Sequence, residues 1–340
     1  MRISASAPGK LVLLGEYAVL EGAPALVLAV DRRATATLAT IAGDAWEILS
    51  PTLGLRARLR LQDGQATWID DAPVELEWIV TLFARFPPAE HLPVCRIELD
   101  SDAFYLDVAG TRAKLGLGSS AALSVALLGA LHALAGVAPP AVGEAIAAHR
   151  AIQHGYGSGI DVAASLAGGL SRFQLHGDAA RVAPMSLPDG VHWCCVYSGR
   201  PASTGAMLET VAAWREREPT AFARHINELA TISSRGVDAV AHHDAAAFLS
   251  SLHDYAKALA RFGEAAGADI ASREHRAIGK LAADCGAVYK GCGAGGGDVG
   301  ITLAVEDKRL RDFAARAARA GFPVIGLGAD PQGLEVAATA

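Results

Sequence analysis

"YKGCGAGGGDVGITLA", residues 289–304, carries Gly291, Gly293 and Gly296 in the order G-x-G-x-x-G. That spacing marks a dinucleotide site only where a strand precedes it, a helix starts at once, and an acidic residue stands about 20 positions on. Here "CGAVYK" reads as a strand before the glycines. After them comes "VGITLAV", short, apolar and β-branched, which reads as a second strand and not as a helix start. Too little chain follows Asp298 for a dinucleotide domain. The stretch is therefore read as a glycine loop between two strands, with a backbone free to approach a partner closely.

Working outward, the whole chain has 340 residues, more than one core usually holds, so two domains are expected. The expected division is 1–185 and 186–340, near "HGDAARVAPMSLPDG". Hydrophobic residues make up 51% and charged residues 19%, which excludes disorder and suits a large buried core. The net charge is −6 and no basic block tracks a phosphate backbone, which argues against nucleic acid as the main partner. Five cysteines (Cys95, Cys194, Cys195, Cys285, Cys292) form an odd set without CxxC spacing. Buried reduced thiols fit better than a disulfide framework or a zinc site. The apolar stretch "KLVLLGEYAVLEGAPALVLAV" is interrupted by Glu16 and Glu21. No uncharged run approaches the ~18 residues of a spanning helix. A cytoplasmic protein without membrane attachment is expected.

Strands are expected over 2–7 and 11–15, broken by a Pro8-Gly9 turn, and over 25–40, 45–62 and 93–108. A helix follows "GLGSS" and ends near Gly136. "PPAVGEAIAAHRAIQ" is helical, with proline at its start. "GSGIDVAASLAGG" reads as loop, short helix and glycine stop, and "VHWCCVYSG" as a strand. From 203 to 285 the pattern is helical. The glycine loop with its two strands, another helix and two last strands complete the chain.

Three more local readings concern chemistry. In "KLGLGSSAALSVALL", residues 114–128, Gly116 and Gly118 precede Ser119-Ser120 and a strong helix former. Flexible backbone and a helix N-terminus together make an anion site, and phosphate is the usual occupant. An ordinary serine cap with flexible glycines fits the same letters. It is not a Walker A loop, because no Gly-Lys-Ser/Thr follows. Lys10, in "SAPGKLVLLGEYAVLEG", is either a solvated charge or a cation directed into a cleft. In "AHRAIQHGYGSGIDVAASLAGG", His149 and Gln153 lie four apart, on one helix face. Asp161 sits in the first turn of a short helix, where a carboxylate also simply complements the dipole.

Taken together, "APGK…GEYAVLEG", "GLGSSAA", "GSGID" and "GAGGGD", in this order, resemble the GHMP small-molecule kinases, and the motifs span nearly the whole chain. The resemblance implies an α+β, two-lobed GHMP kinase fold: an N-terminal lobe like a ribosomal-protein-S5 domain and a ferredoxin-like C-terminal lobe, with the site between them. It implies ATP and Mg²⁺. Gly116, Leu117, Gly118, Ser119, Ser120 and Ala121 would cradle the nucleotide phosphates, with Ser119 or Ser120 as candidate metal ligands. Within the family, "AHRAIQHGYGSGIDVAAS", Lys114 and "GAGGGD" are similar to the members that phosphorylate 5-phosphomevalonate on the way to isoprenoid precursors. That similarity points to His149, Gln153, Ser158, Arg200, Ser203, Gly293, Ala294, Gly295, Gly296 and Asp298 on the acceptor side. Mevalonate-phosphorylating members carry a metal-binding Glu eleven positions before the aspartate; here that position is Arg150.

The implied reaction brings an anion up to an anion, so cations must offset repulsion. Lys10 and Lys114 are the expected ones, with Arg200 as a third. Asp161 would orient Lys10 or the acceptor and take up a residual proton. Three other readings stay open: a relative with an alcohol or sugar acceptor such as mevalonate, a decarboxylase of the same fold, and a non-catalytic sensor of ATP and metabolite. Retention of Lys10, Lys114, Ser119, Asp161 and Asp298 favours catalysis over the sensor.

Overall fold

The computed structural model describes residues 1–62, 65–86, 92–108, 110–153, 155 and 157–339. His154 and Tyr156 of the "AHRAIQHGYGSGIDVAAS" stretch lie outside them. In chain order the elements are β1 (Arg2–Leu14), β2 (Ala25–Thr40), β3 (Trp46–Ser50), β4 (Leu55–Gln62), β5 (Gln65–Trp68), α1 (Trp78–Ala84), β6 (Cys95–Asp100), β7 (Tyr105–Val108), β8 (Thr111–Lys114), α2 (Ser119–Leu134), α3 (Val142–Ile152) and α4 (Ile160–Ala167). Then follow β9 (Leu170–His176), β10 (Ala179–Met185), β11 (His192–Tyr197), α5 (Thr204–Arg217), α6 (Pro219–Ala241), α7 (Ala245–Ala266), α8 (Arg273–Ala283), β12 (Val288–Gly291), β13 (Val299–Ala304), α9 (Asp307–Arg319), β14 (Val324–Ile325) and β15 (Glu335–Thr339). The α+β class matches the expectation.

Two main sheets organise these elements. The larger runs β10-β9-β2-β6-β3-β4-β5, with β1 paired to β2 and to β15. The smaller runs β12-β13-β11-β14, and its three pairings are antiparallel. Counted in chain order that is 2-3-1-4, the ferredoxin-like arrangement. β1 is buried on both faces, which is why "KLVLL" reads as a continuous apolar run. Val12 enters a core with Val27, Leu38, Ile97 and Val125, while Leu11 and Leu13 enter a second core with Leu229, Leu252, Tyr255 and Phe262 of α6 and α7. α2 is apolar nearly all round and passes through the first core. Its N-terminus is thereby fixed beside β1. Among the described residues no helix is long and apolar enough to cross a membrane.

The structure corrects several expectations. Pro8-Gly9 is not a turn: β1 is continuous, and the pair marks a register shift against β2. A bulge absorbs a proline that cannot donate to the ladder. The expected strand over 45–62 breaks at a short 3₁₀ turn, Pro51–Leu53, and that over 93–108 breaks at Asp102–Phe104. Beyond the second break, β7 pairs with β8 in a separate hairpin that ends on Lys114. α1 and the β9–β10 hairpin come from the structure alone. The stretch 186–340 does not close on itself, because β15 returns to pair with β1. Arg33 secures that return, donating to the Ser6 carbonyl at 2.8 Å and the Gly333 carbonyl at 2.6 Å and pairing with Asp330.

Candidate active site

The site grows from the contact between β1 and the loop before α2. The Lys10 backbone N–H donates to the Leu117 carbonyl at 2.8 Å. This approach demands glycine at position 9: a Cβ there would lie 2.8 Å from the Leu117 oxygen and 2.8 Å from Phe104. The Lys10 ammonium donates to the Gly116 carbonyl at 3.3 Å. α2 is capped by Gly118 in the left-handed conformation, φ 81°, with no side-chain cap. The reading of an ordinary serine cap therefore fails. The first N–H groups of α2, on Ser119, Ser120 and Ala121, form the positive helix end that an anion would meet. Ser119 is buried and Ser120 exposed.

Asp161 approaches the same point from α4, in its first turn. A Cβ on Gly118 would lie 3.2 Å from Lys10 Cε and 3.7 Å from Asp161 Cβ, so lysine and aspartate flank one glycine. They form no ion pair among the described residues. Lys10 bonds to a carbonyl instead, and Asp161 Oδ1 accepts from the Val162 N–H at 3.0 Å.

The glycine loop closes the other side. Gly293 faces Lys10: a Cβ there would be 4.0 Å from the ammonium nitrogen. Asp298, with φ 57°, joins the loop to its surroundings. Its N–H donates to the Arg200 carbonyl at 2.7 Å, its carbonyl accepts from Ser198 at 2.8 Å, and Oδ1 accepts from the Ala202 N–H at 3.1 Å. Burial pushes its carboxyl up; the Ala202 N–H, Lys10 and Lys114 pull it back down. Lys114, exposed at the end of β8, is thus a second cation near this carboxylate.

Other predicted residues make contacts within the protein. Gln153 caps the end of α3 and its N–H donates to the His149 carbonyl at 3.1 Å, so the two stand one helical turn apart, with His149 buried and Gln153 exposed. The Ser158 hydroxyl accepts from the Ile160 N–H at 3.3 Å, and the Ser203 hydroxyl caps α5 by accepting from Ala206. The Arg200 side chain is half exposed and faces Asp269 at 3.0 Å and Glu274 at 3.8 Å. At Gly295 and Gly296 the protein itself leaves no room for a side chain. A Cβ on Gly295 would lie 2.6 Å from Ile270, and one on Gly296 would strike Met207. Ala294 offers its carbonyl to Tyr17 at 2.6 Å. Arg150 donates to the Gly157 and Ser158 carbonyls at 3.0 and 3.3 Å, supporting the loop before α4.

Sequence reasoning missed Glu16, Tyr17, Lys290 and His275. Glu16 and Lys290 form a buried ion pair. His275, buried, binds the Tyr289 hydroxyl through Nδ1 at 2.7 Å and the Gly297 carbonyl through Nε2 at 2.9 Å. Because a carbonyl only accepts, Nε2 carries the proton and Nδ1 accepts from the tyrosine. The G-E-Y letters were the available signal for the first pair; none pointed to His275. The cysteines are free, and burial pushes the Cys95 and Cys292 thiols to about 11.

Among the described residues no cluster of three His, Cys, Asp or Glu gathers to hold a metal. The hydroxyls of Ser119 and Ser120 and the Asp161 carboxylate are hard oxygen donors of the kind Mg²⁺ takes, completed by water and phosphate oxygens.

Comparison with known proteins follows the same line. The GHMP kinases N terminal domain matches residues 81–169. Mevalonate kinase of Methanothermobacter thermautotrophicus is 32% identical over 237 residues, 69% of each chain. Phosphomevalonate kinase of a Streptomyces species is 28% identical over 335 residues, covering 87% of this chain and 88% of that one. The structure of Streptococcus pneumoniae phosphomevalonate kinase with phosphomevalonate and AMPPNP superposes with a TM-score of 0.80 at 19% identity, over 96% of this chain and 99% of that one, and so shares the fold. The chain belongs to the GHMP kinase family. It is a phosphotransferase of the kind that uses ATP.

Proposed function

We propose that this kinase moves the γ-phosphoryl of ATP onto the phosphate of 5-phosphomevalonate, giving 5-diphosphomevalonate in the mevalonate route to isoprenoid precursors, in the cytoplasm. The observation that carries the reading is the pair of lysines beside the start of α2: Lys10, whose ammonium donates to the Gly116 carbonyl at 3.3 Å, and Lys114, exposed two residues before Gly116 at the end of β8. An alcohol acceptor brings no phosphate charge to the reacting oxygen, so less positive charge is needed there. A phosphate monoester is mostly dianionic at neutral pH, since its second pKa is about 6. It needs little help from a general base but strong charge compensation. Coverage of nearly the full length by the Streptomyces phosphomevalonate kinase supports the same acceptor.

The α2 N–H groups would hold the nucleotide phosphates, and Ser119 and Ser120 would supply protein oxygens to Mg²⁺, which offsets phosphate charge when bound. Lys10, fixed to the Gly116 carbonyl, would face the transferred group. Lys114 would face the acceptor phosphate. Asp161 would orient the acceptor and take the proton of any monoanion. Gly293 would let the loop backbone close beside Lys10. Mevalonate as acceptor is the second reading, favoured by the 32% identity to the Methanothermobacter enzyme. ADP release measured with phosphomevalonate, mevalonate, homoserine, galactose and heptose phosphates tests the assignment. The largest kcat/KM is expected with phosphomevalonate, and preference for any alcohol acceptor would overturn it.

A further inference from the structure

Glu16 and Lys290 are almost sealed from solvent, their side chains 4% and 1% exposed. Desolvating two ions offsets much of their attraction, so such a pair is weak as a source of stability. What it fixes is more telling. Glu16 lies two residues past the end of β1, the strand that carries Lys10. Lys290 lies on β12, at the entry to the glycine loop. The pair therefore ties the larger sheet to the loop of the smaller one.

Neighbouring bonds act on the same loop. The Lys290 ammonium also donates to the Gly291 carbonyl at 2.7 Å, and the Gly293 N–H points to Glu16 Oε1 at 3.4 Å. Tyr17 has φ 63°, a conformation that bulky residues rarely adopt. From there its hydroxyl donates to the Ala294 carbonyl at 2.6 Å. Tyr255 holds Glu16 from behind, donating to its carbonyl at 2.7 Å. Gly291, Gly293 and Ala294 are thus held by the segment after β1 and by Lys290. Gly293 also faces the Lys10 ammonium, which a Cβ there would meet at 4.0 Å.

We infer that Glu16, Tyr17 and Lys290 are positioning residues for phosphoryl transfer, setting the distance between the glycine loop and Lys10. The inference rests on the kinase activity and not on which acceptor is used. The test replaces the ion pair by apolar side chains of similar size, Glu16→Leu with Lys290→Met, and separately makes Tyr17→Phe. Tyr17→Phe keeps the ring packing on Phe262, 4.9 Å between centroids, and loses only the hydroxyl. The apolar pair is expected to keep the thermal midpoint of the parent while kcat falls about 10²-fold, the effect of roughly 1 Å of misplacement, with KM for ATP little changed. Tyr17→Phe is expected to lower kcat about two- to tenfold, the equivalent of one lost hydrogen bond. Amide hydrogen exchange of residues 291–297 should quicken in both. A folded apolar pair with parental kcat and parental loop exchange would overturn the inference. If that variant does not fold, Tyr17→Phe decides it: parental kcat and exchange would overturn it equally. Exchange is read without any acceptor, so an error in the acceptor assignment leaves this result standing.

Discussion

Replacing Gly116 by alanine adds one methyl group at the most crowded point of the site. Gly116 has φ 70°, and its new Cβ would lie 2.5 Å from the Asp298 carboxyl carbon and 2.6 Å from Asp298 Cβ. Two costs follow. Holding alanine in the left-handed region costs about 1–2 kcal/mol. Moving Asp298 aside breaks its bond from the Ala202 N–H, a hydrogen bond to a charged group worth about 1.5–3 kcal/mol. The sum is about 2.5–5 kcal/mol. At about 2.1 cal/mol/K of unfolding entropy per residue, 340 residues convert this to a drop of about 4–7 °C in thermal midpoint. Asp298→Ala alone loses only the hydrogen bond, about 1.5–3 kcal/mol. The double variant has no Ala202 hydrogen bond left to break, although the Cβ at position 298 must still move aside, so it should cost less than the two single changes added. Calorimetric melting of the four proteins reads this directly, with ADP release as a second readout. Additive costs, or a Gly116→Ala protein as stable as the parent, would refute the contact between the loop before α2 and Asp298.

Four further outcomes are expected. Lys114→Met should lower kcat/KM for phosphomevalonate about ten- to hundredfold, through weaker acceptor binding more than weaker ATP binding; steady-state kinetics with both substrates varied would expose a merely solvated lysine by showing no change. Asp161→Asn should lower kcat about 10²-fold with KM for ATP little altered, and a collapse of ATP affinity instead would place Asp161 at the nucleotide. Gly295→Val should cost about 2–5 kcal/mol of stability, because a β-branched residue at φ 86° would press on Ile270; an unchanged melting point would refute the packing. Burial holds the His275 imidazole below its ordinary value, with the Gly297 carbonyl opposing, so the unfolded chain binds a proton that the folded chain resists. That contribution is fully present above about pH 6.5 and is lost as pH falls through the range below it; melting between about pH 8 and pH 5 should show the loss, and His275→Gln should flatten it.

The elements punctuated by glycine and proline were legible in the sequence, because those residues act locally. "GLGSS" placed the start of α2, and "GSGID" that of α4. Cation and carboxylate chemistry was legible for Lys10 and Asp161 once the motifs were read in order, and the structure brings both to Gly118. What escaped depends on contacts between distant parts of the chain. Pro8-Gly9 reads locally as a turn, yet β1 keeps pairing across it because a bulge takes up the irregularity. The return of Glu335–Thr339 to β1 has no local sign. Glu16 and Lys290 are 274 positions apart, and Glu16 entered the sequence reading only as a charge in an apolar stretch. The spacing of His149 and Gln153 is kept by a helical hydrogen bond, but the depth at which each lies, one buried and one exposed, has no local sign. The pairing of Arg200 with Asp269 and Glu274, about 70 positions on, likewise has no local sign.

The central claim is that a phosphate, not a hydroxyl, receives the transferred group. Phosphorus NMR of the products tests it most directly. With ATP, Mg²⁺ and 5-phosphomevalonate, the acceptor's monoester resonance is expected to be replaced by the two mutually coupled resonances of a diphosphate monoester, while mevalonate under the same conditions stays unchanged. A monoester resonance left intact, together with a new monoester formed from mevalonate, would contradict the account.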